Sequence, residues 1–204
     1  MAGDDVRFYM TFHGIHLDDW GVNFGNFSDH HKLLTEEYES DGCNSTATSS
    51  ATLTHKFLYP EHIKKVYFIE GTITGHVTFA ASSATAYMCK YKVSVCKVHQ
   101  NTDEIELYTT GWKTINHTFG WNTEYNTPSI IDGEEGEVVY PFRIDAWENE
   151  KLDEYEKIYV KVESTCSDDA NFSSCSSGGC GNLVLWHSND ATFEDVKIEI
   201  PFKL

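Results

Sequence analysis

Ten histidines are the side chains of this 204-residue sequence best suited to metal binding or proton transfer. The densest groups are His13 with His16, in the sequence HGIH, and His30 with His31. Residues three apart on a strand face opposite sides of a sheet, so His13 and His16 would share one ion only across a turn at Gly14. The sequence also holds no HExxH, GxSxG or P-loop motif. The histidines therefore indicate neither a metal site nor a catalytic base.

Adjacent carboxylates are a second source of chemistry to consider. The doubled acidic residues are Asp4-Asp5, Asp18-Asp19, Glu134-Glu135 and Asp168-Asp169. A glycosidase needs two carboxylates about 5–10 Å apart across a cleft, but a chain with 32 acidic residues contains adjacent pairs by chance. Asp168, Asp169 and Asn171 could place oxygen ligands around calcium in one loop, although their spacing is not that of an EF-hand. We predict no catalytic residues, no metal ligands and no cofactor.

The cysteines permit disulfides but do not require them. They are Cys43, Cys89, Cys96, Cys166, Cys175 and Cys180. A chain of this length can build a core without such bridges. Cys175 and Cys180 share a Ser- and Gly-rich loop in which a bridge is sterically allowed, while zinc is disfavoured there because the loop holds no histidine. Free thiols are the remaining state.

The tryptophans suggest a glycan ligand. They are Trp20, Trp112, Trp121, Trp147 and Trp186. A flat aromatic ring can stack on the apolar face of a sugar, as it does in carbohydrate-binding modules, whereas most tryptophans of a β-sandwich lie in its core. The polar stretch Thr114–Asn126 favours exposure around Trp121. A glycan ligand is therefore an alternative to a purely packing role.

The formal net charge of -17 excludes several classes of partner. Nucleic-acid binding needs Lys and Arg patches that neutralise phosphates, and docking on anionic lipid needs similar patches. We therefore predict neither a nucleic-acid partner nor a membrane partner. Strong negative charge favours solubility and a solvated acidic exterior.

Strands rather than helices are predicted to position these residues. Alternation of apolar and polar residues predicts strands at Val6–Leu17, Thr52–Tyr59, Lys65–Ala80, Ala84–His99, Glu104–Thr110 and Trp112–Trp121. The segment Ala84–Thr110 reads as a hairpin. Only Asp29–Glu39 has apolar residues that fit a short helix, and they fit a strand equally well.

The last third of the chain gives the clearest indication of fold class. An extended run at Val138–Ala146 leads into an acidic turn, Trp147–Glu156, and then into the alternating strand Lys157–Glu163. Two further strands, Leu183–His187 and Val196–Phe202, complete it. The whole pattern predicts an all-β fold, an antiparallel and jelly-roll-like β-sandwich of roughly eight to ten strands with little helix.

The domain organisation is predicted to be simple. No linker or internal repeat divides the chain, so residues 1–204 are expected to form a single β-sandwich domain. Residues 1–60 are a candidate N-terminal assembly segment, because FYMTF and Trp20–Phe27 carry more aromatic residues than a free terminus usually exposes. The alternative is that this segment completes the domain's own core.

The N-terminal sequence predicts synthesis in the cytosol. It has no basic n-region, and charged residues and histidines interrupt its apolar residues, so it does not read as a signal peptide. No stretch approaches the roughly 18 apolar residues of a membrane-spanning helix.

Three segments carry a resemblance to a known group of proteins. They are TITGHVTFAASSATAYMCKYKVSVCKVHQNTDEIELYTTGW, YPFRIDAWENEKLDEYEKIYVKVE and LVLWHSNDATFEDVKIEIPFKL. Over Ile69–Leu204 the sequence resembles the β-sandwich structural proteins of tailed phages and archaeal tailed viruses. The resemblance implies a capsid decoration, turret or tail component that assembles with itself and with other virion proteins, that resides in the virion, and that has no catalytic residues.

Two functional hypotheses follow from the sequence. The first is a non-enzymatic virion structural protein that forms a symmetric homo-oligomer, and it implies that the protein is not an enzyme. The second is a carbohydrate-binding module or glycan-active β-sandwich, which a group of exposed aromatic side chains on one sheet would favour.

Overall fold

The computed structural model describes residues 5–12, 32–35, 52–59, 63–81, 85–98, 104–119, 121–122, 127–128, 137–165, 183–185 and 197–203. All of the regular secondary structure within these ranges is β-strand. The strands are β1 Asp5–Phe12, β2 Lys32–Thr35, β3 Thr52–Leu58, β4 Tyr67–Ala81, β5 Thr85–Val98, β6 Ile105–Thr109, β7 Lys113–Phe119, β8 Trp121–Asn122, β9 Thr127–Pro128, β10 Glu137–Leu152, β11 Lys157–Thr165, β12 Leu183–Leu185 and β13 Lys197–Lys203. In these ranges, no helix is long and apolar enough to cross a membrane.

Alternation along the strands explains why the sequence forms sheets with two different faces. In β11, the β-branched residues Ile158, Val160 and Val162 are buried in the main core, while Lys161 and Glu163 lie on the opposite face. Side chains alternate across a strand with a period of two, and β-branched residues fit a pleated, half-buried surface. A helix would have placed the three apolar residues around its circumference.

The strands pair in the order β10-β4-β13-β1-β2-β3-β11-β5-β6, with β12 added to β4 and β7 added to β5. All of these ladders are antiparallel except one pairing of β2 with β3, at Leu33 and Leu58. That pairing links two layers. The first layer holds β10, β4, β12, β13, β1 and β2, and the second layer holds β3, β11, β5, β6 and β7.

One core lies between the two layers. Aromatic contacts cross it: the ring centroids of Phe79 on β4 and Tyr91 on β5 are 5.6 Å apart, and Tyr140 on β10 lies within 5.9 Å of both rings. The described core also takes aliphatic residues from both layers, among them Ile69, Ile73, Val77, Val93, Val160, Ile198 and Ile200. The predicted all-β antiparallel β-sandwich is confirmed.

Strand β10 differs from the sequence prediction. A turn was expected at Trp147–Glu156, but β10 pairs again with β4 at Glu150–Leu152 after a bulge. Residues 147–149 of the bulge lie opposite Glu70 alone, since Ala146 pairs with Gly71 and Glu150 with Ile69. The turn is confined to residues 153–156, where Tyr155 has a φ of 70°.

The turn is held by specific backbone contacts. The backbone N–H of Asp153 donates to Glu156 Oε2 at 2.8 Å, and that of Tyr155 donates to the Ile63 carbonyl at 3.0 Å. These bonds satisfy backbone groups that the turn removes from the ladder. Leu152, where the pairing with β4 ends, is fully buried.

The first described strands, β1 and β2, are part of the strand order of the first layer. Strand β1 sits between β13 and β2, with Val6 opposite Ile200 and Met10 opposite Leu34. The stretch that fitted either helix or strand contains β2. An assembly role for residues 1–60 stays a prediction.

Candidate functional site

The outward side of the second layer carries a set of charged side chains that alternation brings together. Lys161 on β11 pairs with Lys56 on β3 and with Ser94 on β5, while Glu163 pairs with Lys92. Residues paired across antiparallel strands project to the same side. We call this set the charged face; its members are Lys56, Lys92, Glu104, Glu106, Lys161 and Glu163.

The ion pairs of the charged face differ in how tightly they are closed. Lys92 Nζ lies 2.7 Å from Glu163 Oε2, which makes this a close ion pair. Lys92 lies 3.7 Å from Glu106 Oε2, and Lys161 lies 3.6 Å from both Glu106 and Glu163. These three longer separations exceed hydrogen-bond length. Each of the two carboxylates thus lies between two ammonium groups. Glu163 has one close and one longer contact, whereas both contacts of Glu106 are longer.

The electrostatics of Lys92 follow from these neighbours. Partial burial acts to lower its pKa, but the hydrogen bond and negative charge of Glu163 act in the opposite direction. The charge of Glu106 adds to this, so the pKa of Lys92 is raised above its ordinary value of 10.5. The ammonium therefore stays charged on this face at neutral pH.

Trp112 stands beside the charged face in the connection between β6 and β7. The Nζ atom of Lys92 lies 5.3 Å from the centroid of its ring, within the range of a cation–π contact. The residue is nonetheless 46% exposed. The ring is thus held in place by an ammonium group while much of it contacts solvent.

An uncharged cluster adjoins the charged face on the same side of the sheet. It comprises Leu58, Cys96, Val98 and Tyr159, all buried. Lys56 connects the two groups, because it forms an ion pair with Glu104 and lies 5.8 Å from the centroid of the Tyr159 ring. The outward side of this layer therefore has buried, uncharged side chains at one end and charged side chains at the other.

Burial sets the ionisation of this cluster. It raises the pKa of the Cys96 thiol to about 11, against the opposing effects of a hydrogen bond from Tyr159 and the charge of Lys161. Burial, together with the neighbouring Cys96 and Glu104, also raises the pKa of Tyr159. A neutral, buried thiol is a poor nucleophile, so Cys96 acts in packing.

The residues weighed from the sequence are only partly within the described ranges. Trp112 and Trp147 are both exposed, at 46% and 80%, and they lie on different layers. Trp121 belongs to β8. The remaining candidates lie outside the described residues: Trp20, Trp186, His13, His16, His30, His31, Cys43, Cys166, Cys175, Cys180, Asp168, Asp169 and Asn171. Within the described ranges, no group of three or more His, Cys, Asp or Glu side chains could hold a metal ion.

The charged face was missed by motif-based reasoning, although its signal is in the sequence. Lysines and glutamates recur at every second position in KYK of β5, EIE at the start of β6 and KVE of β11. Side chains two positions apart lie on the same face of a strand, so the charged residues of each sequence are predicted to share a face. The charged residues of the three strands come together because β5 pairs with both β6 and β11.

Comparison with known proteins gives structural matches alone. No protein-family model matches the chain, and no curated protein matches its sequence. A CocE/NonD family hydrolase from Staphylococcus aureus matches 98% of this chain and 37% of its own, with a TM-score of 0.52 and 12% identity. An alpha-amino acid ester hydrolase matches 75% of this chain and 26% of its own, with a TM-score of 0.47 and 14% identity.

A virus structure is also matched, with a TM-score too low to indicate a shared fold. The structure of infectious bursal disease virus matches 84% of this chain and 34% of its own, with a TM-score of 0.24 and 9% identity. The chain therefore spans little more than a third, at most, of the structures named here.

These matches correct one prediction. The sequence led us to expect that the protein is not an enzyme, and that expectation is wrong, because the S. aureus structure whose fold the chain shares is a hydrolase. The expectation rested on missing catalytic motifs and on fold class. Neither is a sound basis, since one fold can serve many activities and a β-sandwich can be one part of an enzyme.

Proposed function

We propose that this protein is an assembly module: a β-sandwich that works by binding other protein subunits, as a surface component of a virus particle. The observation that supports it best is a set of three exposed hydrophobic side chains, two on β10 and one in the turn after it. Val139 is 51% exposed, Trp147 is 80% exposed and Tyr155 is 66% exposed. Aromatic side chains of this kind are enriched in protein interfaces and often dominate their binding energy.

The position of β10 supports the same role. Among the described strands β10 forms a ladder with β4 only, and it ends the strand order of the first layer. The bulge at residues 147–149 carries Trp147 on backbone that is anchored on both sides by pairing with β4. A side chain on anchored backbone loses less entropy on binding than one on a free loop. Closed symmetry is the usual outcome when identical subunits associate.

The sequence resemblance to virion structural proteins over Ile69–Leu204 supports placing this module on a particle. The net charge of -17 fits a surface that faces solvent between copies, where repulsion limits unspecific association. Self-association would then depend on a few buried aromatic anchors rather than on charge.

A second candidate is favoured by one specific observation. The match to the S. aureus hydrolase extends over 98% of this chain but over only 37% of that protein. The sandwich would then act as a module of a hydrolase, docking on a catalytic unit through the same exposed β10 side chains. Both candidates require a protein interface, and they differ in the identity of the partner.

Light scattering after size-exclusion chromatography tests the proposal. We expect a mass that is a whole multiple of the 23.2 kDa chain, and we expect Trp147→Ala to shift the population toward monomer. Trp112→Ala is the matched control, because it removes an exposed tryptophan from the other layer. A monomer at high micromolar concentration, or an oligomer that is indifferent to Trp147→Ala, would contradict self-assembly through β10. A monomeric chain that binds a separate hydrolase subunit, and loses that binding in Trp147→Ala, would favour the second candidate.

A further inference from the structure

We propose that the charged face, together with Trp112, is a binding site for a neutral glycan. In this site the Trp112 ring stacks on the apolar face of a pyranose, and Glu106 and Lys161 hydrogen-bond to its hydroxyl groups. The inference does not rest on the assembly role, because it concerns the outward side of the second layer and not β10.

Trp112 has the properties of a stacking platform. A tryptophan used only for packing would be covered, yet this one is 46% exposed at the margin of the sheet. Lys92 holds the ring from one side at 5.3 Å. A ring fixed in this way offers its free surface to a sugar without first losing rotational freedom. The Lys92 ammonium is itself fixed by Glu163 at 2.7 Å.

The spacing of the charges beside Trp112 suits hydroxyl groups. Glu106 lies 3.6 Å from Lys161 and 3.7 Å from Lys92, so neither contact is a closed hydrogen bond. A sugar diol can donate to the Glu106 carboxylate and accept from the Lys161 ammonium at the same time. Glu106 has a side chain that is 36% exposed, which leaves it open to such a ligand.

The surrounding polar groups extend the site along the sheet. The hydroxyl of Ser94 lies 3.2 Å from that of Thr109, which is exposed on β6. Ser94 pairs with Lys161 across the ladder, so this hydroxyl pair adjoins the proposed hydrogen-bonding groups. Ser94 itself is fully buried, so the exposed Thr109 hydroxyl is the one that a ligand can reach on this sheet face, beside the indole, the carboxylate and the ammonium.

The charge of the protein selects the class of glycan. With a net charge of -17, the chain repels sulfated, sialylated and uronic-acid sugars at long range. The local face has lysines and glutamates in balance, and it offers no excess of cations for an anionic ligand. A neutral sugar with free vicinal hydroxyls is the ligand that these groups can satisfy.

The test begins with the full chain on a printed array of neutral and anionic oligosaccharides. We expect binding to a subset of neutral glycans and none to the anionic ones. Calorimetry with the best neutral oligosaccharide then compares variants. Trp112→Ala should weaken binding about tenfold or more, the loss of about 1.4 kcal/mol. Trp112→Phe should restore part of it, and Glu106→Gln should weaken it by removing an acceptor charge.

Matched controls separate this site from general effects. Trp147→Ala removes another exposed tryptophan, on the first layer, and should leave glycan affinity unchanged. Unchanged melting temperatures of the Trp112 and Glu106 variants would show that the sandwich is intact. The proposal is overturned if the array shows no neutral glycan bound, or if Trp112→Ala and Glu106→Gln both bind like the wild type. Loss of binding in Trp147→Ala alone would place the site elsewhere and would equally overturn it.

Discussion

The hydroxyl group of Tyr108 joins the two layers of the sandwich, because it donates a hydrogen bond to the carbonyl oxygen of Ile69 at 3.1 Å. The same hydroxyl accepts a hydrogen bond from the backbone N–H of Glu150, also at 3.1 Å. Tyr108 belongs to β6 in the second layer, whereas Ile69 and Glu150 belong to β4 and β10 in the first. Ile69 and Glu150 pair with each other where the ladder resumes after the bulge.

Replacing Tyr108 with Phe should destabilise the protein by about 1–3 kcal/mol, because it leaves two backbone groups without their partner in a largely buried place. Urea denaturation followed by tryptophan fluorescence measures this. Tyr67→Phe is the control, since the described contact of that ring is its edge-on packing against Phe202 at 5.9 Å. It should change the free energy of unfolding by less than about 0.5 kcal/mol. Equal effects of the two variants would refute the structural role of the Tyr108 hydroxyl.

Gly75→Ala should be among the most damaging small substitutions. A Cβ at this position would lie 2.6 Å from Phe142 Cζ and 3.0 Å from Ile198 Cα, and would also collide with the Lys197 carbonyl oxygen. Two of these obstacles are backbone atoms of β13, which cannot rotate away. We expect a loss of about 2–3 kcal/mol or more in the free energy of unfolding.

Gly111→Ala is the matched control for that experiment. A Cβ at Gly111 meets nothing within 4 Å, but its φ of 63° is unfavourable for other residues. It should therefore lose only about 1 kcal/mol. A Gly75→Ala variant more stable than Gly111→Ala would show that β13 does not approach β4 as closely as described.

Breaking the close Lys92–Glu163 ion pair of the charged face should lower the free energy of unfolding more than breaking an exposed ion pair. Lys92→Met breaks a pair whose side chains are 18% and 17% exposed, and we expect it to lower the free energy of unfolding by about 1–2 kcal/mol. Lys151→Met breaks a pair with Asp153 whose side chains are 51% and 50% exposed, and it should cost less than about 0.5 kcal/mol. The loss of stability in the two variants is compared by thermal denaturation at low and at high salt. A larger loss for Lys151→Met would contradict the assignment of Lys92.

Alkaline pH should destabilise the protein through the uncharged cluster. Burial raises the pKa of Cys96 from 9.0 to about 11, and it raises the pKa of Tyr159 as well. Between about pH 9 and 11 the folded state therefore binds more protons than the unfolded state, so the free energy of unfolding falls as pH rises. The contribution is fully present below pH 9.

The Cys96→Ala variant isolates this effect. Urea denaturation across the same pH range should give a shallower decline than in the wild type, because one proton is removed from the difference between the two states. The comparison cancels the titrating groups that Cys96 does not influence. Tyr159 contributes to the difference as well, because Cys96 helps to raise the pKa of Tyr159. Parallel declines in the two proteins would mean that Cys96 titrates at its ordinary value.

The sequence predicted most strands because alternation is a local signal. Thr52–Tyr59 corresponds to β3, and the hairpin at Ala84–Thr110 corresponds to β5 and β6, which do pair. The bulge in β10 was not predictable, because residues 147–149 look like an acidic turn until Glu150–Leu152 is seen to pair with β4. That pairing depends on residues some 80 positions away in sequence, which no local pattern encodes.

The charged face was hidden for the same reason. Alternation along β5 puts Lys92 and the buried Val93 on opposite faces, but the partner of Lys92, Glu163, lies on β11 and its neighbour Glu106 on β6. Ion pairs across strands depend on strand order, whereas burial within one strand depends mainly on alternation. Fold class can therefore be predicted from this sequence, whereas the set of residues that form a surface site cannot.

The placement of β1 between β13 and β2 has a consequence for how the chain is made. Val6 finds its partner, Ile200, only after almost two hundred further residues have been translated, and β13 is also a neighbour of β4. The first layer therefore cannot close during synthesis until Lys197–Lys203 has left the ribosome. Contacts so distant in sequence slow folding and leave strands exposed meanwhile. The second layer, whose hairpin of β5 and β6 is local, is the part that can begin to fold on the ribosome.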